Sequence, residues 1–275
     1  MRSVALAGLV WLLVSCGAAG GGDADAGTGH DAPAAEAAAP SDAPPAADAA
    51  AAADATPAAD TGAGDDAGPT VPLAGFGGIT GDCGFLTAAA ITSPQPAVFS
   101  DHVDFGAAGY TSADFGQLSA GAQEVITDGN AGGSSLLSEA FSYDILYRCE
   151  LAELLKTENE VVYTTTTTKK TDYVVRIDGY RVGVSVTRAF VYPTTNPYTV
   201  TIARQLLEGK LADIHVSSAN VSAADAWEKQ ILHVLAYGPE HATAIVDAFA
   251  LIDATIVGDT ILVVTVTDGN DAFIY

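Results

Sequence analysis

The sequence predicts an α/β domain, a mixed central sheet flanked by helices, preceded by a disordered tether. Three observations predict it. Between residues 134 and 268, helix-period and strand-period segments succeed one another in the order helix, strand, strand, strand, helix, strand, helix, strand. An Asp178-Gly179 dipeptide sits between two β-branched runs, which is a hairpin signal. Before about residue 73 the chain is almost only Ala, Asp, Pro, Gly and Thr, and cannot bury enough apolar area to offset the entropy of ordering it.

The elements follow in order. Residues 73–133 are rich in Gly, Ser, Asp and Phe and read as a loop-rich N-terminal segment with one short helix near Ser119–Ile126. "SSLLSEAFSYDILYRCELAELLKTE" (134–158) is a helix, with Leu137, Phe141, Ile145, Cys149 and Ala152 recurring on one face and a serine at its start. "EVVYTTTTT" (160–168) is β-branched and reads as a strand exposed on its threonine face. "KKTDYVVRIDGYRVGVSVTRAF" is the hairpin. "YTVTIARQLLEGKLADIHVSSANV" (198–221) begins extended and becomes a helix, and "KQILHVLAY" (229–237) is a buried strand. "PEHATAIVDAFALID" (239–253) opens with Pro and Glu as helix N-termini do, and "DTILVVTVTD" (259–268) is an apolar strand that needs cover on both faces.

The first residues, MRSVALAGLVWLLVSCG, place one basic residue before a short apolar run, the pattern of a secretory signal too short to span a bilayer. Leu13-Val14-Ser15-Cys16 resembles the lipobox of bacterial lipoproteins, which implies a signal peptide over 1–15, a lipidated Cys16, and a tether over 16–72. The resemblance implies a lipid anchor in the outer membrane or at the cell surface, since Gly17 rather than Asp follows the cysteine. Cys83 and Cys149 then remain in an exported compartment, either as a disulfide or as two buried thiols. Net charge is −23; the tether holds ten Asp/Glu and no Lys or Arg, and residues 148–275 hold ten Lys/Arg against sixteen Asp/Glu. No basic block exists to track phosphates, which argues against avid nucleic-acid binding.

A two-residue turn at 178–179 pairs Ile177 with Tyr180 and fixes the rest of the register. Extended from there, it sets Asp172 opposite Ser185 and Lys170 opposite Thr187, all four on one face. Element order and hairpin resemble the restriction-endonuclease-like fold, the PD-(D/E)xK phosphodiesterases, whose core is α-β-β-β-α-β. The resemblance implies Asp172 as the strand carboxylate, Glu150 or Glu153 as the helix acid, and a Glu-x-Lys end on the next strand. Ser185 and Thr187 stand in those last two positions. Two carboxylates hold Mg²⁺ in such sites and the Lys offsets developing charge, so hydroxyls there leave the metal grip and the cation missing.

Three functional readings follow. The first is an exported lipoprotein displaying a non-catalytic nuclease-like domain with a binding or structural role and no cofactor. The second is an active Mg²⁺-dependent phosphodiesterase using Glu153, Lys170 and Asp172, with Glu228-Lys229 as a further place for migrated groups. The third is a module that adds a protein partner to an exposed sheet edge at Thr164–Thr168. No H-E-x-x-H, G-x-S-x-G or CxxC pattern supports metalloprotease, serine-hydrolase or zinc chemistry. His233 alternates within an apolar strand and reads as a hydrogen-bonded core residue, His241 as exposed, and Trp227 as core packing.

Overall fold

The computed structural model describes residues 70–275. The signal segment, Cys16 and the tether through residue 69 lie outside the described residues. In chain order the elements are β1 (Gly78–Gly81), α1 (Ala88–Ile91), β2 (Ala97–Asp104), a 3-10 helix (Ser112–Gln117), α2 (Ala120–Asp128), α3 (Leu136–Glu150), β3 (Glu153–Thr157), β4 (Tyr173–Ile177), β5 (Tyr180–Ala189), α4 (Val200–Asn220), β6 (Lys229–Ala236), α5 (Pro239–Phe249), α6 (Ala254–Val257) and β7 (Ile261–Asp268). The strands form one seven-stranded sheet in the order β1-β2-β7-β6-β5-β4-β3. β2, β7, β6 and β5 run parallel to one another, while the β1–β2, β5–β4 and β4–β3 pairs are antiparallel. The α/β class with helices on both faces is therefore the observed fold, and α3-β3-β4-β5-α4-β6 follows the expected order.

The central strands explain the layering. Every residue of β6 is buried, and β7 is buried over its first five residues. Alternate residues must then meet apolar cover on opposite faces. On one face Phe141, Ile145 and Leu146 of α3 pack on Tyr173, Val175, Val182, Val184, Ile231 and Val263. On the other, Leu207, Leu211 and Ile214 of α4 and Ile245 and Phe249 of α5 pack on Leu232, Val234, Leu262 and Val264. Burying each such side chain stabilises by roughly 1.5–3 kcal/mol.

The turn chemistry is as predicted. Asp178 and Gly179 both have positive φ (46° and 87°), as a type I′ turn requires, and Ile177 pairs with Tyr180. Three sequence expectations fail. The helix read over 134–158 ends at Glu150, where Leu151 turns left-handed, and Glu153–Thr157 is a strand. "EVVYTTTTT" is not a strand: only Tyr163 bridges Val221, and the threonines form a loop tied to Asn220. The edge strands are β1 and β3 instead, so the threonine-edge reading loses its edge. The third is the loop-rich segment, which contains β2. Asp101 faces inward there, between Phe99 and Val103, and its charge broke the apolar alternation that marks a strand.

An arm from residue 70 onward is fastened to the far end of α3. Arg148 is 4 % exposed, and its guanidinium donates to the carbonyls of Leu73 (2.9 Å), Phe76 (2.7 Å) and Gly77 (2.7 Å) while Asp144 lies 3.6 Å away. Glu150 accepts from the Gly84 and Leu86 amides at 2.8 and 2.9 Å. Cys83 and Cys149 are joined by a disulfide.

Two outcomes follow. Arg148→Met leaves Asp144 and three carbonyls buried without their cation and should cost about 3–5 kcal/mol, read as a lowered urea midpoint. Reduction opens a 66-residue span and should cost ~4 kcal/mol in the same assay.

Candidate functional site

The carboxyl ends of β5 and β6 and the start of β4 meet at one rim of the sheet, and the candidate site lies there. α3 runs opposite to β3, because a helix that returns to begin an adjacent strand must reverse direction. Its first turn therefore stands at the rim with Asp172, and its last turn stands at the hairpin end. Glu139, in that first turn and 3 % exposed, is the helix acid that acts on Asp172.

Asp172 precedes β4. Its carboxylate accepts the Val186 amide at 2.6 Å, and its own amide donates to Val184 O at 3.0 Å. Burial, followed by the charge of Glu139, raises its carboxyl to about 7; Lys210 on α4 acts in the opposite direction, and Glu158 adds to the rise. Glu139 itself receives the Asn130 side-chain amide at 3.1 Å. The glycine-rich loop "DGNAGGSS" lies beside these groups: Ala131 N donates to Glu158 at 2.7 Å, and Asn159 donates to the carbonyls of Asp128 and Gly129 at 3.1 and 3.2 Å.

The hairpin register holds as far as Tyr173–Val184 and then stops. Beyond it Thr171, not Asp172, meets Ser185: their hydroxyl oxygens are 3.5 Å apart, and Thr171 also donates to Val184 O at 2.9 Å. The expected Asp172–Ser185 pair is thus corrected, because the chain leaves the ladder one residue before that pairing would form. Ser185 and Thr187 are both buried. Glu153 is not part of the site. It pairs with exposed Arg176 across β3 and β4, four residues along β4 from Asp172, about 13 Å at ~3.3 Å per residue. Glu150 is at the same far end, occupied with the arm. Lys170 is exposed, and the cation acting on Asp172 is Lys210. Lys229 is buried at the opposite rim against Ser93 O and Asp259. Glu139, Glu158, Thr171 and Lys210 were missed by sequence reasoning; helix direction alone could have found Glu139.

No three His, Cys, Asp or Glu side chains among the described residues come together to hold a metal ion. With its carboxyl raised to about 7, chiefly by burial, and the buried hydroxyls of Ser185 and Thr187 beside it on β5, Asp172 sits in a setting that disfavours its charged, metal-gripping form.

A second polar group lies beneath α3. The Ser142 hydroxyl is 2.6 Å from the Tyr173 hydroxyl and 2.7 Å from His233 Nδ1, and His233 Nε2 is 2.7 Å from Thr265 Oγ1. His233 is fully buried, and burial lowers its pKa to about 3, so the ring is neutral with both nitrogens met by hydroxyls. It is a core residue, as expected. His241 is buried rather than exposed, stacked on Tyr198 at 4.7 Å.

A carboxyl whose folded pKa is raised stabilises the fold below its unfolded value and loses that contribution as pH climbs to the folded one. Asp172→Asn keeps the acceptor for Val186 and removes the titration. Its stability relative to the parent should therefore rise between about pH 4 and 7 and stay level above, as read by thermal melts across that range. Ser142→Ala strands Tyr173 and His233 and should cost about 1–3 kcal/mol by urea denaturation.

No family model matches the chain. No solved structure matches it. A protein of Dictyostelium discoideum described as AAC-rich mRNA clone AAC4 protein is 36% identical over 153 residues, which is 54% of this chain and 22% of that protein. The chain thus spans about a fifth of the length of this relative.

Proposed function

We propose that the chain is an exported, lipid-anchored protein whose nuclease-like α/β domain serves a binding or structural role and not phosphodiester cleavage. The supporting observation is the end of β5. Ser185 and Thr187 occupy the Glu-x-Lys positions, both buried, and Ser185 faces the neutral hydroxyl of Thr171. Neither group can grip a divalent ion as a carboxylate does or stabilise an anion as an ammonium does. The lipid anchor rests on Leu13-Val14-Ser15-Cys16, and the tether composition supports display at a distance from the membrane.

A second reading has one observation in its favour: Asp172, Glu139 and Lys210 bring two acids and a cation to one rim, a rearranged set distinct from Glu153 and Lys170. Mg²⁺ needs only one or two protein carboxylates when substrate phosphates complete its shell.

Incubation of the full chain with single- and double-stranded DNA and RNA in Mg²⁺ or Mn²⁺ separates the two. No cleavage above a metal-free control is expected; metal-dependent cleavage lost in both Asp172→Ala and Glu139→Gln would establish the second reading. For the anchor, Cys16→Ser should abolish incorporation of labelled palmitate in a bacterial host and move the protein to the soluble fraction.

A further inference from the structure

At the rim opposite the carboxylate pair, the start of β6, the end of α4 and the turn before β7 enclose a cleft of about 200 Å³. We propose that this cleft binds one neutral sugar ring, a function independent of the reading above.

Its lining combines an aromatic wall with hydrogen-bonding groups whose orientations are already set. Trp227 is half-buried, and the bond that fuses its two rings lies over Gly183 of β5; a Cβ at residue 183 would come within 2.8 Å of the indole, so only glycine admits the ring. The indole N–H donates to Ser218 Oγ at 3.2 Å and is also met by the Gln230 amide oxygen at 3.0 Å, while the Gln230 nitrogen donates to Gly183 O at 2.8 Å. The ring is thereby pinned at its edge, and the indole contributes a fixed apolar wall to the cleft.

The polar groups of the lining want donors. His215 Nε2 lies 2.7 Å from Ile256 O, and a carbonyl can only accept, so Nε2 carries the proton and Nδ1 is left as an acceptor. Lys229 Nζ holds Asp259 Oδ2 at 3.2 Å, which fixes that carboxylate and leaves Oδ1 as a second acceptor. Ser218 Oγ accepts from the indole and keeps its own O–H to give. Two acceptors and one donor beside an aromatic wall match adjacent hydroxyls on a ring whose C–H face is apolar.

Charge and size narrow the class. Lys229 and Asp259 offset each other, and the remaining charged group of the lining, Glu228, is an anion, so no unbalanced cation is present to draw a phosphate or carboxylate. The volume falls below the ~300–1,000 Å³ of clefts that hold drug-sized ligands, which limits the occupant to about one ring. Affinity for so few atoms should be about millimolar.

The chain has two tryptophans, Trp11 and Trp227. In the full chain carrying Trp11→Phe, emission reports on Trp227 alone. Titration with glucose, galactose, mannose and N-acetylglucosamine should give a saturable change for at least one sugar. Asp259→Asn should weaken it about tenfold or more. Ala226→Phe, which adds bulk at an exposed position of the lining and leaves the polar groups unchanged, should abolish it while far-UV circular dichroism and the melting temperature hold. No response to any of the four sugars would overturn the proposal. So would a response to tetramethylammonium alone, which would assign the cleft to a cation, or a sugar response that survives Ala226→Phe.

Discussion

The hydrogen bond between Ser142 and His233 fixes more of this structure than any other single contact. A histidine in the middle of a fully buried strand cannot stay charged, and cannot stay neutral without partners for both ring nitrogens. Thr265 supplies one from the neighbouring strand and Ser142 supplies the other from α3. A helix lying on a sheet can slide or rotate at small cost if its contacts are only apolar; a buried bond of 2.7 Å admits one rotation and one height. Once Ser142 is placed, the remaining turns of α3 follow. Glu139 stands at the rim with Asp172, and Arg148, Cys149 and Glu150 stand at the other end, where the arm is fastened.

The two ends of α3 thus have separate duties. At the far end, three carbonyls, two amides and a disulfide join the arm to the helix, so the arm belongs to the core through directional bonds more than through area. At the near end, two acids are brought together with few partners. Burial, reinforced by the charge of Glu139, raises the Asp172 carboxyl to about 7. A carboxyl that holds its proton to about pH 7 is a poor cation ligand, and the nearby end of β5 adds only the neutral hydroxyls of Ser185 and Thr187.

Much of the fold was legible because its signals are local. Asp178-Gly179 specified a turn type, and the turn type specified the register as far as Tyr173. The apolar runs of β6 and β7 required cover on both faces. The failures share a physical cause: a position where tertiary contacts override local preference. Leu151 in a left-handed conformation ended α3 inside a stretch whose periodicity continues to Ala152. Asp101, buried against Thr265 with its carboxyl raised to about 7 by burial, hid β2. Of the site, Asp172 was found and its partners were not, since distance along a helix says nothing of which end faces a strand until the direction of return is considered. Thr171 could not have been found from alternation, because it sits where alternation ends.

Charge pairing bears on what the domain can hold. All ten Lys and Arg of residues 148–275 are within the described residues, and seven of them lie within 4 Å of a carboxylate: Arg148, Lys156, Lys169, Arg176, Arg181, Arg204 and Lys229. Arg188 donates to Ile274 O and lies over Phe190. Lys170 and Lys210 are left, and Lys210 already acts on Asp172. Binding a phosphate backbone depends on several cations arrayed without local partners, each releasing a counterion as it engages. Here almost every cation has an anion beside it, so the acidic surplus is not a diffuse background over a hidden basic track; it is the outer layer of a surface whose positive charge is already neutralised. A nucleic acid would have to break those pairs one by one, whereas an uncharged ligand would leave all of them in place.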